Sequence, residues 1–294
     1  MTDEQYMRRC IQLAKNGRQT TEPNPMVGAV IVHNDRIIGE GYHIRCGGPH
    51  AEVNAFASVK PENEHLLPES TIYVSLEPCS HWGKTPPCAD LLISKHIRRC
   101  VIGCQDPFAK VQGRGIERLR NAGIEVTVGV LEKECLQLNR HFITYHSLHR
   151  PFTTLKWAQS ADGYIDGHIS NYYTQALCHK RRAEHGAIMV GSNTWNTDHP
   201  SLDVRQWYGN NPKIYVAHGS VPKVAEASLL VEGGARLHQY FIDNQLWDEC
   251  FVEISPTPIH GTVRAPQLKH AHLAESIYIA DRIILKYEKS EEDN

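Results

Sequence analysis

Tyr6, Met7, Cys10, Ile11 and Ala14 recur at helical spacing near the start of the chain, with Asp3 available as N-cap and Gly17 as a stop. This pattern predicts an amphipathic helix over residues 3–16. Two strand-like runs, residues 27–32 and 36–41, flank Asn34-Asp35 and predict a β-hairpin. Residues 50–59 suit a helix whose first turn carries both His50 and Glu52. Beyond it, strand patterns at 71–76, 100–103 and 124–128 alternate with helical patterns at 88–95, 116–121 and 131–145. Such alternation is the mark of a layered α/β domain.

Charge and proline interrupt the pattern at Ser147-Leu148-His149-Arg150-Pro151, which predicts a boundary between a domain of residues 1–147 and one of residues 151–294. The second half opens on a strand at 152–157 and a turn at Asp162-Gly163. A helix at 174–185, strands at 187–190, 213–217 and 229–231, a helix at 235–244, and strands at 250–254 and 278–287 follow. Glu232-Gly233-Gly234 joins a buried strand to a helix, where backbone amides can hold phosphate. Alone it is no more than a tight turn, and it is not a G-x-G-x-x-G fingerprint. Residues 289–294 read as a frayed tail.

With 294 residues the chain can bury two cores, and 41% hydrophobic with 22% charged residues is a globular composition. A formal charge of −2 offers no general attraction for nucleic acid, so small molecules are the expected partners. No apolar run approaches the ~20 residues of a membrane span, and Met1-Thr2-Asp3-Glu4 does not open a signal peptide. A cytoplasmic protein is expected. Its nine cysteines lack a disulfide-framework spacing and read as free or metal-bound thiols, with Cys100 and Cys104 in the core. The histidine pairs His146/His149 and His270/His272 read as solvated.

The chemistry concentrates in Pro49-His50-Ala51-Glu52 and in residues 77–88. His50, Cys79 and Cys88 supply three zinc ligands, the number a catalytic zinc uses while keeping its fourth position for water. Glu52, two residues beyond the histidine, can reach that water without ligating and serve as general acid/base. This is the H-x-E and P-C signature of zinc-dependent nucleobase deaminases. The alternative is a structural zinc closed by Cys46, Cys104 or His81.

On these motifs, with Pro23-Asn24-Pro25-Met26-Val27-Gly28 and the long spacer ending Thr85-Pro86-Pro87-Cys88, residues 1–145 resemble the deaminase half of the RibD family of bifunctional riboflavin-biosynthesis proteins. From Phe152 onward the chain resembles the reductase half of that family, on Lys156 to Gly163, Gly191 to Arg205 and Leu230 to Gly234. The resemblance implies a cytidine-deaminase-like α/β/α domain followed by a dihydrofolate-reductase-like α/β domain, in a homo-oligomer. Its substrates would be phosphorylated pyrimidines and its cofactors Zn2+ and NADPH. Asn24 and His43 would hold the pyrimidine and Lys84 the phosphate. Asp166, Arg182, Leu202, Arg205 and Glu232 would contact the reductase substrate, and Ala158, His168, Thr194, Asp198 and Gly234 would contact NADPH. Two departures stand out. Several tens of residues that the family normally inserts after Val216-Ala217 are reduced to about residues 218–228, and Asp106-Pro107-Phe108-Ala109 lacks the asparagine that relatives more often carry after the proline.

Overall fold

The computed structural model describes residues 1–82, 86–106 and 113–290, and the chain divides into two compact units, Met1–His149 and Arg150–Asn294. Lys84 and Pro107 to Ala109 lie outside the described residues.

In the first unit a mixed five-stranded sheet runs in the order β2-β1-β3-β4-β5, formed by β1 (Gly28–His33), β2 (Arg36–Tyr42), β3 (Thr71–Leu76), β4 (Arg99–Cys104) and β5 (Glu125–Val128). β1 is antiparallel to β2 and β3, whereas β3, β4 and β5 are parallel. Alternate residues of the central strands face opposite layers, except at the ends of β3 and β4, where Leu76 and Cys104 pack on the side opposite to Val74 and Ile102. Ala29, Ile31, Ile72, Val74, Cys100 and Ile102 pack with α2 (Ala51–Ala57), α3 (Cys88–Ser94) and α4 (Arg114–Asn121). Val30, Val32, Tyr73, Leu76, Val101 and Cys104 pack with α1 (Asp3–Ala14) and α5 (Glu132–Leu138). Helices on both faces explain why these strands are apolar on both sides.

Several local expectations are corrected. Thr2, not Asp3, caps α1, because its hydroxyl accepts the Gln5 amide while the Gln5 side chain accepts the Thr2 amide. His50 is the N-cap of α2, in extended conformation, and only Glu52 stands in the first turn. The helix expected over 131–145 is broken at Asn139 into α5 and α6 (Arg140–Leu148). The reason is tertiary: buried Asn139 accepts the Met26 amide at 2.7 Å and donates to the Met26 carbonyl at 2.9 Å. A 3-10 segment at Pro61–Glu69 had no sequence signal.

The second unit is a seven-stranded sheet ordered β11-β12-β10-β6-β9-β7-β8. Its strands are β6 (Phe152–Gln159), β7 (Ala187–Gly191), β8 (Lys213–Ala217), β9 (Ser228–Val231), β10 (Glu249–Ile254), β11 (Ala271–Ile279) and β12 (Arg282–Lys289). The five strands from β10 to β8 are parallel and the last two form an antiparallel hairpin. The single strand expected at 278–287 is therefore two strands turning at Ala280-Asp281. Helices α7 (Tyr172–Ala183), α8 (Ser192–Asp198) and α9 (Ala235–Asp243) complete the unit, and α8 was not foreseen. Between β8 and β9, residues 218–227 cross without a helix, burying Val224 and Ala227.

Candidate active sites

In the first unit α2 lies so close to β2 that a Cβ on Gly41 would fall 2.3 Å from the Ala55 amide nitrogen and 2.7 Å from the Ala51 carbonyl oxygen. Only glycine permits this approach, which holds α2, with His50 as its N-cap and Glu52 in its first turn, tight against β2. β3 runs out into Glu77-Pro78-Cys79. The buried Glu77 carboxylate accepts the amides of Gly113 at 3.0 Å and Gly115 at 2.9 Å, at the N-terminus of α4, and that of Asp106 at 3.3 Å. A carboxylate is favoured there by the unpaired amides of the helix start. The Ala89 amide donates to the Cys79 carbonyl at 3.1 Å, tying α3 to the same turn.

These constraints gather His50 Nδ1, Cys79 Sγ and Cys88 Sγ within 4.8 Å of one another. His50 Nδ1 is 3.6 Å from Cys79 and 3.3 Å from Cys88, and the Cys88 amide donates to Cys79 Sγ at 3.3 Å. A hydrogen bond from the Cys88 thiol pulls Cys79 down to about 4, and the same bond, with burial, pushes Cys88 up. One nitrogen and two soft sulfurs converging on one point fit zinc, and a cation there would leave both sulfurs as thiolates. Cys46 and Cys104 do not join the cluster among the described residues. Cys104 is wholly buried beside Ser75, and Cys46 is exposed.

Glu52 is 3% exposed, and burial, reinforced by the Cys79 thiolate, pushes its carboxyl up to about 7. It lines a cavity of about 280 Å³ together with Asn24, His43, His50 and Cys79. His43 Nδ1 faces the Pro49 carbonyl at 2.9 Å and its Nε2 lies 3.3 Å from Asn24 Nδ2. Burial lowers the pKa of this imidazole, and a carbonyl at Nδ1 with an amide nitrogen at Nε2 fits the neutral tautomer in which Nδ1–H donates to Pro49 and Nε2 accepts from Asn24. Asn24 then has Oδ1 to offer a ligand. The cavity also includes His81, which the sequence offered only as a fourth ligand of a structural zinc, Asp106, from the segment that departs from the family, and Phe142 and His146, which the sequence did not assign to it. His146 had read as solvated; α6 instead turns it to the cavity, while His149, His270 and His272 are exposed as expected.

The second unit has its own cavity, of about 310 Å³, lined by Ala158, His168, Thr194, Asp198, Glu232 and Gly234. Lys156, which opens the segment that carries the resemblance but was assigned no contact, also lines it, as do Gln175 and His238, which carried no sequence signal. A Cβ on Gly233 would lie 2.5 Å from the Gly191 amide nitrogen, so the ends of β7 and β9 meet only through glycine. The other predicted residues are engaged elsewhere. Arg182 holds Glu232 through two bonds, Nε–Oε1 at 3.0 Å and Nη2–Oε2 at 2.6 Å. Burial raises the Glu232 carboxyl, but this fork outweighs burial and leaves it below its ordinary range. Asp166 accepts the amide and hydroxyl of Thr262 at 2.6 and 2.7 Å; these bonds hold its carboxyl at about 2. Leu202 is buried against Ile188, Val190 and Leu230, and Arg205 is exposed and paired with Asp203 at 2.6 Å.

A three-layer α/β unit with a His-Cys-Cys donor cluster beside a buried glutamate defines a zinc-deaminase class of domain, here followed by a second α/β unit. Residues 1–104 match the family model "Cytidine and deoxycytidylate deaminase zinc-binding region", and residues 151–226 match "RibD C-terminal domain". The chain belongs to the RibD family of riboflavin-biosynthesis proteins. It is 44% identical to RibD of Aquifex aeolicus over 209 residues, 69% of this chain and 58% of the relative. It is 43% identical to RibD of Escherichia coli over 211 residues, 70% of this chain and 56% of the relative. The chain thus spans less than two thirds of the length of these curated relatives. The solved deaminase/reductase of Thermotoga maritima superposes with a TM-score of 0.88 at 32% identity, covering 98% of each chain.

Proposed function

We propose that the first unit catalyses hydrolytic, zinc-dependent deamination of 2,5-diamino-6-(5-phosphoribosylamino)pyrimidin-4-one. The second unit would use NADPH to reduce the ribosyl group of 5-amino-6-(5-phosphoribosylamino)uracil to ribityl. The observation that carries the reading is the convergence of His50, Cys79 and Cys88 within 4.8 Å, with His50 and Cys79 lining the same cavity as buried Glu52. Zinc, when bound, supplies Lewis acidity and brings the pKa of water to about 7. The chain's part is proton handling and orientation. Glu52, whose carboxyl is raised to about 7, can carry one proton from water to the ring nitrogen and, in a second transfer, the remaining proton of the added hydroxyl to the departing ammonia. Asn24 Oδ1, oriented by His43, is an acceptor for the pyrimidine edge.

In the second unit the backbone at Gly234, which starts α9, suits a phosphate, and Thr194 and Asp198 from α8 stand in the same cavity. NADPH supplies the hydride, so these residues have only to bind and orient. The nine unpaired thiols fit a cytoplasmic enzyme, and the exposed Leu273 and Tyr278 on edge strand β11 fit a homo-oligomer.

The test is ammonia release from the first substrate by zinc-loaded protein. Glu52→Gln should retain zinc and lower the rate by about 10²–10⁴-fold. A variant as fast as the parent would remove Glu52 from the mechanism. The helix-free 218–227 connection favours a second reading, a deaminase whose second unit has lost its reductase chemistry. NADPH oxidation with the deaminated pyrimidine separates the two: consumption establishes a bifunctional enzyme, and its absence with deamination intact leaves the deaminase alone.

A further inference from the structure

The break at Asn139 has a consequence in the first cavity. A continuous helix from 131 to 145 would not need the Asn139 amide, which instead clasps both backbone groups of Met26. Met26 lies between Pro25 and Val27, two residues of the cavity wall, so the clasp joins that wall directly to the first turn of α6. In that turn α6 presents Phe142, and one turn later His146, to the same cavity. Their i,i+4 spacing puts them on one helix face. Their rings are 4.6 Å apart between centroids, and Tyr145 meets His146 edge-on at 5.2 Å. Phe142 is the one phenyl ring among the described residues lining the cavity. No α6 side chain is fully buried, so core packing does not explain why these rings stand here.

We propose that Phe142 and His146 are specificity-determining residues of the deaminase site, with Asn139 as their positioning residue; this rests on the function proposed above. Phe142 offers a flat apolar surface to the face of a planar heterocycle, and rings already packed together lose little freedom when a ligand stacks on them. His146 adds an imidazole one turn further along the same helix face, a group whose chemistry suits a ring substituent bearing hydroxyl or phosphate oxygens. The wall therefore selects an N-ribosylated, phosphorylated pyrimidine over a free base. It acts on binding, not on the proton transfers assigned to Glu52.

The experiment is steady-state deamination of 2,5-diamino-6-(5-phosphoribosylamino)pyrimidin-4-one by the full chain, with zinc content measured for each variant. Phe142→Ala and His146→Ala should each raise KM about tenfold while kcat stays within about threefold. Phe142→Leu should lie between parent and Phe142→Ala, and His146→Gln should recover part of the His146→Ala loss. His149→Ala, at the exposed end of α6, should match the parent. If an alanine variant does not fold, its conservative partner carries the test through the same KM shift. Unchanged KM in the Phe142 and His146 variants, or a loss confined to kcat with zinc retained, overturns the proposal. A parent that does not deaminate this substrate fails the function itself, whereas an active parent with unaffected variants fails only the wall.

Discussion

The two units carry cavities of similar size but spend their charged residues differently. In the first, the predicted donors His50, Cys79 and Cys88 meet one another, and Glu52 is buried beside them. In the second, four of the predicted charged contacts are satisfied within the protein: Arg182 and Glu232 by each other, Asp166 by Thr262 and Arg205 by Asp203. Metal donors must converge with open lone pairs, so a motif that supplies them leaves few arrangements. A charged residue meant for a substrate has many possible internal partners, and a buried one has to find them. The lesson is that a metal motif transfers from sequence to site more directly than an anion-binding motif does.

The contrast breaks most severely at Cys88→Ala. Removing one of three donors should abolish both stoichiometric zinc and the proposed deamination, as metal analysis and ammonia release would record, while the NADPH binding proposed for the second unit stays as in the parent. Retained zinc would mean that the cluster is not the metal site. Next in size is Arg182→Ala. It strands the buried Glu232 carboxylate and should cost about 3–5 kcal/mol in denaturant unfolding, with much of the loss recovered in Arg182→Ala/Glu232→Gln. A cost below about 1 kcal/mol would free Arg182 for the substrate role that the family resemblance implies.

The smallest expected effect sharpens the comparison from the first unit. Asp3 pairs with Arg99 at 2.8 Å and accepts the Tyr73 hydroxyl at 2.8 Å, yet its side chain remains 33% exposed. The Arg99 hydrogen bond holds its carboxyl below the ordinary range against the opposing effect of burial. A depressed carboxylate stabilises the fold above its unfolded pKa of about 3.9, and that contribution is lost as pH falls through the folded value. Asp3→Asn should therefore cost about 1 kcal/mol at neutral pH. Its melting temperature should converge with that of the parent only as the pH falls below about 4. A constant gap down to pH 2 would show that packing, not charge, is responsible.

Much of this was legible in the order of residues. Period-two strands bounded by turn residues gave β3 its observed limits, and Asn34-Asp35 turns the first hairpin with both residues at positive φ. His50, Glu52, Cys79 and Cys88 carried their chemistry in their spacing. The misses share a cause. The periodicity of residues 131–145 is helical throughout, and nothing local announces that Asn139 will be drawn away by Met26, 113 residues distant in sequence. Residues 271–289 lack a turn signal at Ala280-Asp281 as strong as the one at Asn34-Asp35, so two strands read as one.

Sequence alone determined which donors exist and that short segments with strong turn and capping preferences would present them, because those preferences are settled within a few residues. Tertiary structure decided which charges are cancelled, which helix is broken and which rings reach a cavity. Hydrogen-bond pairing and desolvation depend on what burial brings close, and for Arg182 with Glu232, or Asn139 with Met26, that partner is far away along the chain.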